Sequence, residues 1–132
     1  MFKISPVQDS GLQRKYAELC GIEYREGSFA YAMTDKDTGA LMGMSQFEIG
    51  AGVGYIFDLQ NAKGHEDYEA MFILGRATMN FIDLCENHIC RASKTAGNAQ
   101  LLHAIGFRDG GEHLECDMTG MFDGHCSGEK EK

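Results

Sequence analysis

A short apolar segment near the C-terminus, closed by a glycine, most constrains the fold of this chain. Residues 98–107 read NAQLLHAIGF, and they follow a long apolar stretch and a short strand-like run. Gly106 after an apolar helical turn predicts a helix C-terminus, because glycine enters the left-handed conformation without the steric cost of a Cβ. Phe107 then begins a strand, which we expect to pack beneath that helix.

The rest of the chain predicts strands and helices in a fixed order. Four early strands are predicted at residues 2–7, 28–33, 40–49 and 53–60, and large and small residues alternate in the second of them. Apolar residues at helical spacing predict two further helices, from Asp9 or Ser10 to about Cys20 and from about Asp67 to Asn87. After the long helix we expect strands at residues 88–93, 107–109 and 112–118, the last two joined by a Gly110-Gly111 turn.

Two of these segments have an apolar face that predicts how they pack. In the first helix, Leu12, Tyr16 and Leu19 recur at helical spacing and are predicted to lie on one face. In the strand at residues 53–60, alternate positions carry Val53, Tyr55, Phe57 and Leu59. These four are predicted to share one face, which places Asp58 on the other, and the glycines of this strand would allow a bulge.

Together these elements predict a single α+β domain with a mixed, mostly antiparallel central sheet flanked by helices. The 132 residues are enough for one domain with its own core. We assign residues 1–121 to the domain and residues 122–132 to a charged, flexible tail. The sequence has no apolar run long enough for a membrane span, and its first residues lack the apolar part of a signal peptide. A cytoplasmic location is therefore expected.

The charge of the chain limits its partners. Its 12 basic and 20 acidic residues give a net charge of −8 at pH 7. This charge argues against nucleic acid or a membrane as a main partner, and it opposes a polyanionic ligand unless positive charge is placed locally. The five cysteines are odd in number and lack C-x-x-C spacing, so no disulfide framework is expected.

The element order and the NAQLLHAIGF segment resemble the GNAT superfamily of acyl-CoA N-acyltransferases. That family ends its last helix with the pattern N…A…LY…GF, and residues 34–49, TDKDTGALMGMSQFEI, are similar to its second and third strands. The resemblance covers roughly residues 1–118. It implies the GNAT fold, acetyl-CoA as co-substrate and transfer of an acetyl group to the amine of a small molecule or peptide. Such folds often pair through sheet edges, so a homodimer is a further expectation.

The resemblance also implies where acetyl-CoA would lie. In the family, the pantetheine arm lies where the central strand separates from the next strand, and it bonds to the strand backbone. The pyrophosphate lies at the N-terminus of the long helix, where free N–H groups and the helix dipole attract an anion. The residues of this chain that match those places are Phe57, Leu59, Gln60, Lys63, Gly64, His65 and Asn98.

The sequence departs from the family pattern at the phosphate loop. The family carries R/Q-x-x-G-x-G/A there, whereas residues 61–69 read NAKGHEDYE. Glu66, Asp67 and Glu69 occupy the helix start, where carboxylates stabilise the helix by about 0.3–1 kcal/mol each but oppose a pyrophosphate. Leu102 stands where the family often has a tyrosine that acts as general acid. A second hypothesis therefore stays open, a GNAT-like binding or interaction module without acyl transfer.

Two carboxylates are candidates for the catalytic base, which must remove a proton from the amine. Asp58 lies on the predicted central strand, and Glu48 ends the strand before it. In the structural alternative, Asp58 ends a strand or pairs with Arg76. The acidic surface favours a cationic acceptor, such as a polyamine, an aminoglycoside or a lysine side chain.

A thiol or metal protein is a third class to consider. His113 and Cys116 lie three residues apart on a predicted strand and so face opposite sides, which is poor geometry for a shared metal ion. His125 and Cys126 lie in a glycine-rich segment. We therefore predict no metal site.

Overall fold

A computed structural model describes residues 1–122 of this chain. Apart from Phe122, the predicted tail lies outside the described residues. The elements in chain order are β1 (Phe2–Pro6), α1 (Ser10–Leu19), β2 (Phe29–Asp35), β3 (Leu41–Ile49), β4 (Val53–Asn61), α2 (Tyr68–Leu84), β5 (Ile89–Ala92), α3 (Ala99–Ile105), β6 (Arg108–Asp109) and β7 (Leu114–Asp117). This order is the predicted one, with boundaries that differ by a few residues.

The seven strands form one sheet in the order β1-β2-β3-β4-β5-β7-β6. Every neighbouring pair is antiparallel except β4 and β5, which run parallel and are connected through α2. The predicted α+β class with a mixed, mostly antiparallel sheet is therefore confirmed. Among residues 1–122, no helix has the length and apolar character needed to cross a membrane.

Helices cover both faces of this sheet. The larger core lies under α2 and α3 and includes buried side chains of β3, β4 and β5. A smaller core lies under α1, where Ala17 and Cys20 pack against Ala30, Ala32 and Met44. A Cβ added at Gly54 would overlap Ile82, so glycine lets α2 lie close to β4.

The C-terminal helix follows its sequence prediction closely. The Asn98 side chain caps α3 by accepting a hydrogen bond from the Leu101 N–H at 3.0 Å. Gly106 ends the helix with φ of +138°, a backbone conformation that favours glycine. Phe107 is fully buried in the main core, as expected for a residue beneath this helix.

The apolar face of α1 is not its most buried face, although Tyr16 on it packs against the smaller core. Leu12 and Leu19 are 37% and 44% exposed, whereas Gln13 and Ala17 are buried. The Gln13 amide donates hydrogen bonds to Gln46 Oε1 at 2.9 Å and to Ser28 Oγ at 3.0 Å. Burial of a polar side chain is tolerated when its hydrogen bonds are satisfied, so this face of α1 was hidden from a pattern of apolar residues.

The predicted alternation of β4 is interrupted by a bulge. Gln46 pairs with Asp58 and Phe47 pairs with Ile56, which leaves Phe57 as an extra residue on β4. The strand glycines are not the cause, since the register shifts at Phe57. A bulge of this kind turns two successive side chains toward one face and reverses the alternation beyond it.

The bulge changes which β4 side chains lie together. The rings of Tyr55 and Phe57 lie 5.1 Å apart, and Arg25 contacts both the Phe57 ring and the Asp58 carboxylate. Leu59 instead belongs to the core under α2. The prediction that Leu59 shares a face with Tyr55 and Phe57, with Asp58 opposite, is therefore wrong.

Candidate functional site

The parallel strands β4 and β5 separate partway along their length. Val53 to Ile56 pair with Ile89 to Ala92, and the Ser93 N–H donates to the Ile56 carbonyl at 3.0 Å. Beyond this point β4 continues to Asn61, whereas the chain after β5 leads into α3. The bulge at Phe57 lies at the point of separation.

A cleft of about 550 Å³ lies beside this separation. Its lining comes from the α1–β2 loop, the β3–β4 hairpin and the facing edges of β4 and β5. The side chains that give it chemical character are Arg25, Glu48, Tyr55, Phe57, Arg91 and Ser93. The cleft thus combines two guanidinium groups, one carboxylate and two aromatic rings, so it offers both charged and apolar contacts.

Asp58 lies beneath this cleft in a hydrogen-bonded network. Its carboxylate is 6% exposed and accepts from Arg25 Nε at 3.0 Å and from Gln46 Nε2 at 2.8 Å. The hydrogen bond to Asp58 raises the pKa of Arg25 above its usual value. The predicted alternative that Asp58 pairs with Arg76 is wrong, because its ionic partner is Arg25. This geometry holds Arg25 at the edge of the cleft.

Glu48 is exposed and lines the cleft directly. It lies opposite Tyr55 in the sheet, Tyr55 lies opposite Arg91, and Arg91 lies opposite Glu115. Neighbouring strands are about 4.8 Å apart, so the Cα atoms of Glu48 and Arg91 are about 10 Å apart with Tyr55 between them. Of the two predicted bases, Glu48 is the one that lines the cleft.

The backbone edge of β4 beyond the bulge is covered by the segment that leads into α3. The Leu59 N–H donates to the Ala96 carbonyl at 2.8 Å, and Gln60 Nε2 donates to the same carbonyl at 3.2 Å. A Cβ added at Gly97 would lie 2.5 Å from the Leu59 carbonyl oxygen, so the chain passes very close to this edge. Residues 94–97 therefore occupy the edge that the resemblance assigns to pantetheine.

The N-terminus of α2 is capped by the chain itself. The Asp67 side chain accepts a hydrogen bond from the Ala70 N–H at 3.0 Å, and Glu69 adds a second carboxylate in the first turn. These carboxylates offset the partial positive charge of the helix N-terminus, so this end of α2 attracts an anion less strongly. The loop before the helix is exposed and supplies the predicted phosphate-side residues Lys63, Gly64 and His65.

Two further positions named from the sequence are engaged in the fold. The Asn98 side chain is the cap of α3, so its carbonyl oxygen is already bonded to Leu101. Leu102 is fully buried in the main core, so this position offers no proton donor. The sequence reasoning missed Arg25 and Arg91 as cleft residues, because a single arginine in a loop or strand carries no local signal of a site.

The cysteines and histidines do not form a metal site in the part of the chain that the structure describes. Within residues 1–122, no three His, Cys, Asp or Glu side chains are arranged to hold an ion. His125 and Cys126 lie outside the described residues. Burial raises the pKa of Cys20 to about 12 and also raises the pKa of Cys90 and Cys116.

Thiol labelling should separate the exposed cysteine from the buried ones. In a Cys126→Ser protein at pH 8, we expect Cys85, which is exposed, to react with a disulfide reagent within minutes. Cys20, Cys90 and Cys116 should react only after unfolding, because they are buried and their raised pKa lowers the thiolate fraction. Mass spectrometry locates the label, and equal reaction of all four thiols in the native protein would contradict this expectation.

The structure is similar to solved acetyltransferases, although no family model and no curated protein matches the chain. A spermidine N-acetyltransferase chimera that includes the Vibrio cholerae protein superposes with a TM-score of 0.70 at 10% identity, covering 92% of this chain and 98% of that one. A GNAT family acetyltransferase from Brucella melitensis, solved with acetyl-CoA, gives 0.68 at 10% identity over 89% and 88% of the two chains. A ribosomal-protein-S5-alanine acetyltransferase from Vibrio fischeri gives 0.61 at 12% identity over 86% and 90%. The GNAT fold expected from the sequence is thereby confirmed.

Proposed function

We propose that this chain, which has the GNAT fold, transfers an acetyl group from acetyl-CoA to the amine of a small molecule or peptide. The observation that carries the proposal is the bulged strand β4, which separates from β5 beside a cleft that contains a carboxylate. A solved structure of the same fold contains acetyl-CoA, which supports this choice of donor.

The chemistry needs an amine, a thioester and a proton acceptor. The amine nitrogen bonds to the thioester carbon, the carbon–sulfur bond breaks, and the sulfur leaves with the electron pair and takes up a proton. Glu48 is the proposed base because it lines the cleft, and it accepts the proton that the amine loses, directly or through a water molecule. Asp58 is proposed as a positioning residue, since its carboxylate holds Arg25 at the cleft edge.

Donor binding requires one rearrangement. The proposed pantetheine contacts are Phe57, Leu59 and Gln60, yet residues 94–97 cover the Leu59 backbone. This segment must move away before another molecule bonds to that edge. On the phosphate side, the proposed contacts are the exposed loop residues Lys63, Gly64 and His65, which lie before an acidic helix start.

Charge reversal at the helix start tests donor binding. We expect Glu66→Lys with Glu69→Lys to lower the dissociation constant for acetyl-CoA at least tenfold at low salt, because both side chains are exposed beside the proposed phosphate site. Asp67 is left unchanged because it caps the helix. Calorimetry measures the constant, and the gain should shrink as salt screens the charges.

Glu86→Lys with Glu112→Lys serves as the matched control, since it reverses two charges at exposed positions, one just after α2 and one in the β6–β7 turn. Equal gains in the control would indicate a general charge effect. If neither the wild-type protein nor the double variant binds acetyl-CoA at millimolar concentration, the acyltransferase proposal is wrong. The result would then support a binding module with this fold.

A further inference from the structure

We infer that the acceptor is a free amino acid, an amine that carries a carboxylate next to it. This inference rests on the proposed function, since it names the substrate class of the same cleft. It replaces the expectation of a purely cationic acceptor, which came from the net charge of the whole chain. The local lining of the cleft has a different character, with two arginines and one glutamate.

Opposite charges lie on the two sides of the cleft. Glu48, Tyr55 and Arg91 lie side by side on three neighbouring strands. A ligand that lies over Tyr55 therefore has a carboxylate on one side and a guanidinium on the other. An α-amino acid carries its ammonium and its carboxylate on the same carbon atom, so Glu48 and Arg91, which both have long side chains, would bind the two groups together above Tyr55 in one orientation.

Each guanidinium is held in place by a carboxylate yet keeps N–H donors for a ligand. Arg91 Nε donates to Glu115 Oε1 at 3.0 Å, and within residues 1–122 its Nη groups make no hydrogen bond. Arg25 donates to Asp58 through Nε at 3.0 Å and through Nη2 at 3.5 Å, its Nη1 lies 3.8 Å from Glu23 Oε1, and its guanidinium lies 5.2 Å from the Phe57 ring centre. Guanidinium groups fixed in this way bind a carboxylate through paired, charge-assisted hydrogen bonds.

The cleft also has an aromatic surface for the apolar part of the ligand. The rings of Tyr55 and Phe57 are 5.1 Å apart and form one aromatic surface in the cleft. An apolar or aromatic side chain of the acceptor would pack on this surface. A polyamine, in contrast, has no carboxylate for Arg25 or Arg91 to bind and would place positive charge beside both guanidinium groups.

Matched ligands test the inference directly. Phenylalanine is compared with phenethylamine, which lacks the carboxylate, and with 3-phenylpropionate, which lacks the amine. Calorimetry without acetyl-CoA should show that phenylalanine binds at least tenfold more tightly than either analogue. Leucine, 3-methylbutylamine and 4-methylpentanoate form a second set with the same expected order.

Two variants test which residue binds each charged group of the ligand. Arg91→Gln should remove the preference for phenylalanine over phenethylamine, and Glu48→Gln should remove the preference over 3-phenylpropionate. Arg108→Gln is the control, because Arg108 lies on β6, bonds to the His103 carbonyl and does not line the cleft. Its ligand preferences should equal those of the wild-type protein.

The outcomes separate this inference from the proposed function. If phenethylamine or spermidine binds as tightly as phenylalanine, or if neither amino acid binds, the inference is overturned. Because these measurements contain no donor, a failure of acetyl-CoA to bind would overturn the proposed function without changing the acceptor result. With both substrates present, release of coenzyme A should follow the same order of acceptors, and phenylalanine should be consumed as its N-acetyl derivative forms.

Discussion

Replacement of Arg25 by alanine is expected to lower the free energy of unfolding by about 2–3 kcal/mol. The substitution leaves Asp58, which is 6% exposed, without its ionic partner, while Gln46 still donates one hydrogen bond to it. The expected loss is below the full cost of breaking a buried ion pair, because the Arg25 side chain is 36% exposed and partly screened by water. Urea denaturation followed by circular dichroism measures the change.

A double variant shows whether the unpaired charge causes this loss. Arg25→Ala with Asp58→Asn removes both charges and keeps the shape of the buried side chain, so it should be more stable than Arg25→Ala alone. Arg14→Ala is the matched control, since Arg14 is exposed and lies over the Tyr24 ring at 4.4 Å. It should cost about 1 kcal/mol or less. Equal losses in Arg14→Ala and Arg25→Ala would mean that the pair with Asp58 contributes no net stability.

The sequence predicts those parts of the fold that local interactions decide. Asp9 caps α1 and Gly106 ends α3 as expected, because capping depends on residues within one turn of the helix end. The order of strands and helices also follows from local hydrophobic periodicity. The resemblance to the GNAT fold then supplied the arrangement of these elements, which the solved neighbours confirm.

The errors arise where distant residues decide the local geometry. The sequence allowed a bulge at the glycines of β4, yet the register with β3 shifts at Phe57. Apolar spacing in α1 pointed to Leu12, whereas Gln13 is buried because Gln46 offers it a partner on another element. No periodicity within a helix or strand carries this information.

The candidate site was predicted only in part for the same reason. Glu48 and Phe57 were named from the sequence, and both line the cleft. Arg25 was missed because it lies in a loop, and its role depends on a carboxylate 33 residues later in the chain. The loop that covers the Leu59 backbone was also missed. It does so with the Ala96 carbonyl and with Gly97, and neither forms a recognisable sequence pattern.

Replacement of Gly97 by alanine is expected to tighten acetyl-CoA binding and to lower the free energy of unfolding. The two changes should be equal when both are expressed as free energies. The new Cβ would lie 2.5 Å from the Leu59 carbonyl oxygen, and β4 is central in the sheet and does not yield. The loop must therefore lift, which breaks the 2.8 Å hydrogen bond between the Leu59 N–H and the Ala96 carbonyl. Without ligand, the free energy of unfolding should fall by about 0.5–1.5 kcal/mol.

The free energy lost with the hydrogen bond between Leu59 and Ala96 also sets the change in affinity for acetyl-CoA. When a closed state competes with the ligand, the apparent dissociation constant equals the intrinsic constant divided by the fraction of molecules that are open. Loss of the closed contact should thus lower the constant for acetyl-CoA about two- to tenfold. Titration calorimetry measures this change. Hydrogen exchange at the Leu59 amide should become faster without ligand, because its acceptor is gone.

The comparison with ligand present distinguishes a cover from a merely structural loop. At saturating acetyl-CoA, both proteins have the open edge, so the measured stabilities of Gly97→Ala and the wild-type protein should converge. Gly11→Ala is the control, because its Cβ meets only an ordinary 3.5 Å contact in α1 and lies on another element. Its affinity for acetyl-CoA should equal that of the wild-type protein. Weaker donor binding by Gly97→Ala would show that residues 94–97 support the donor site instead of covering it.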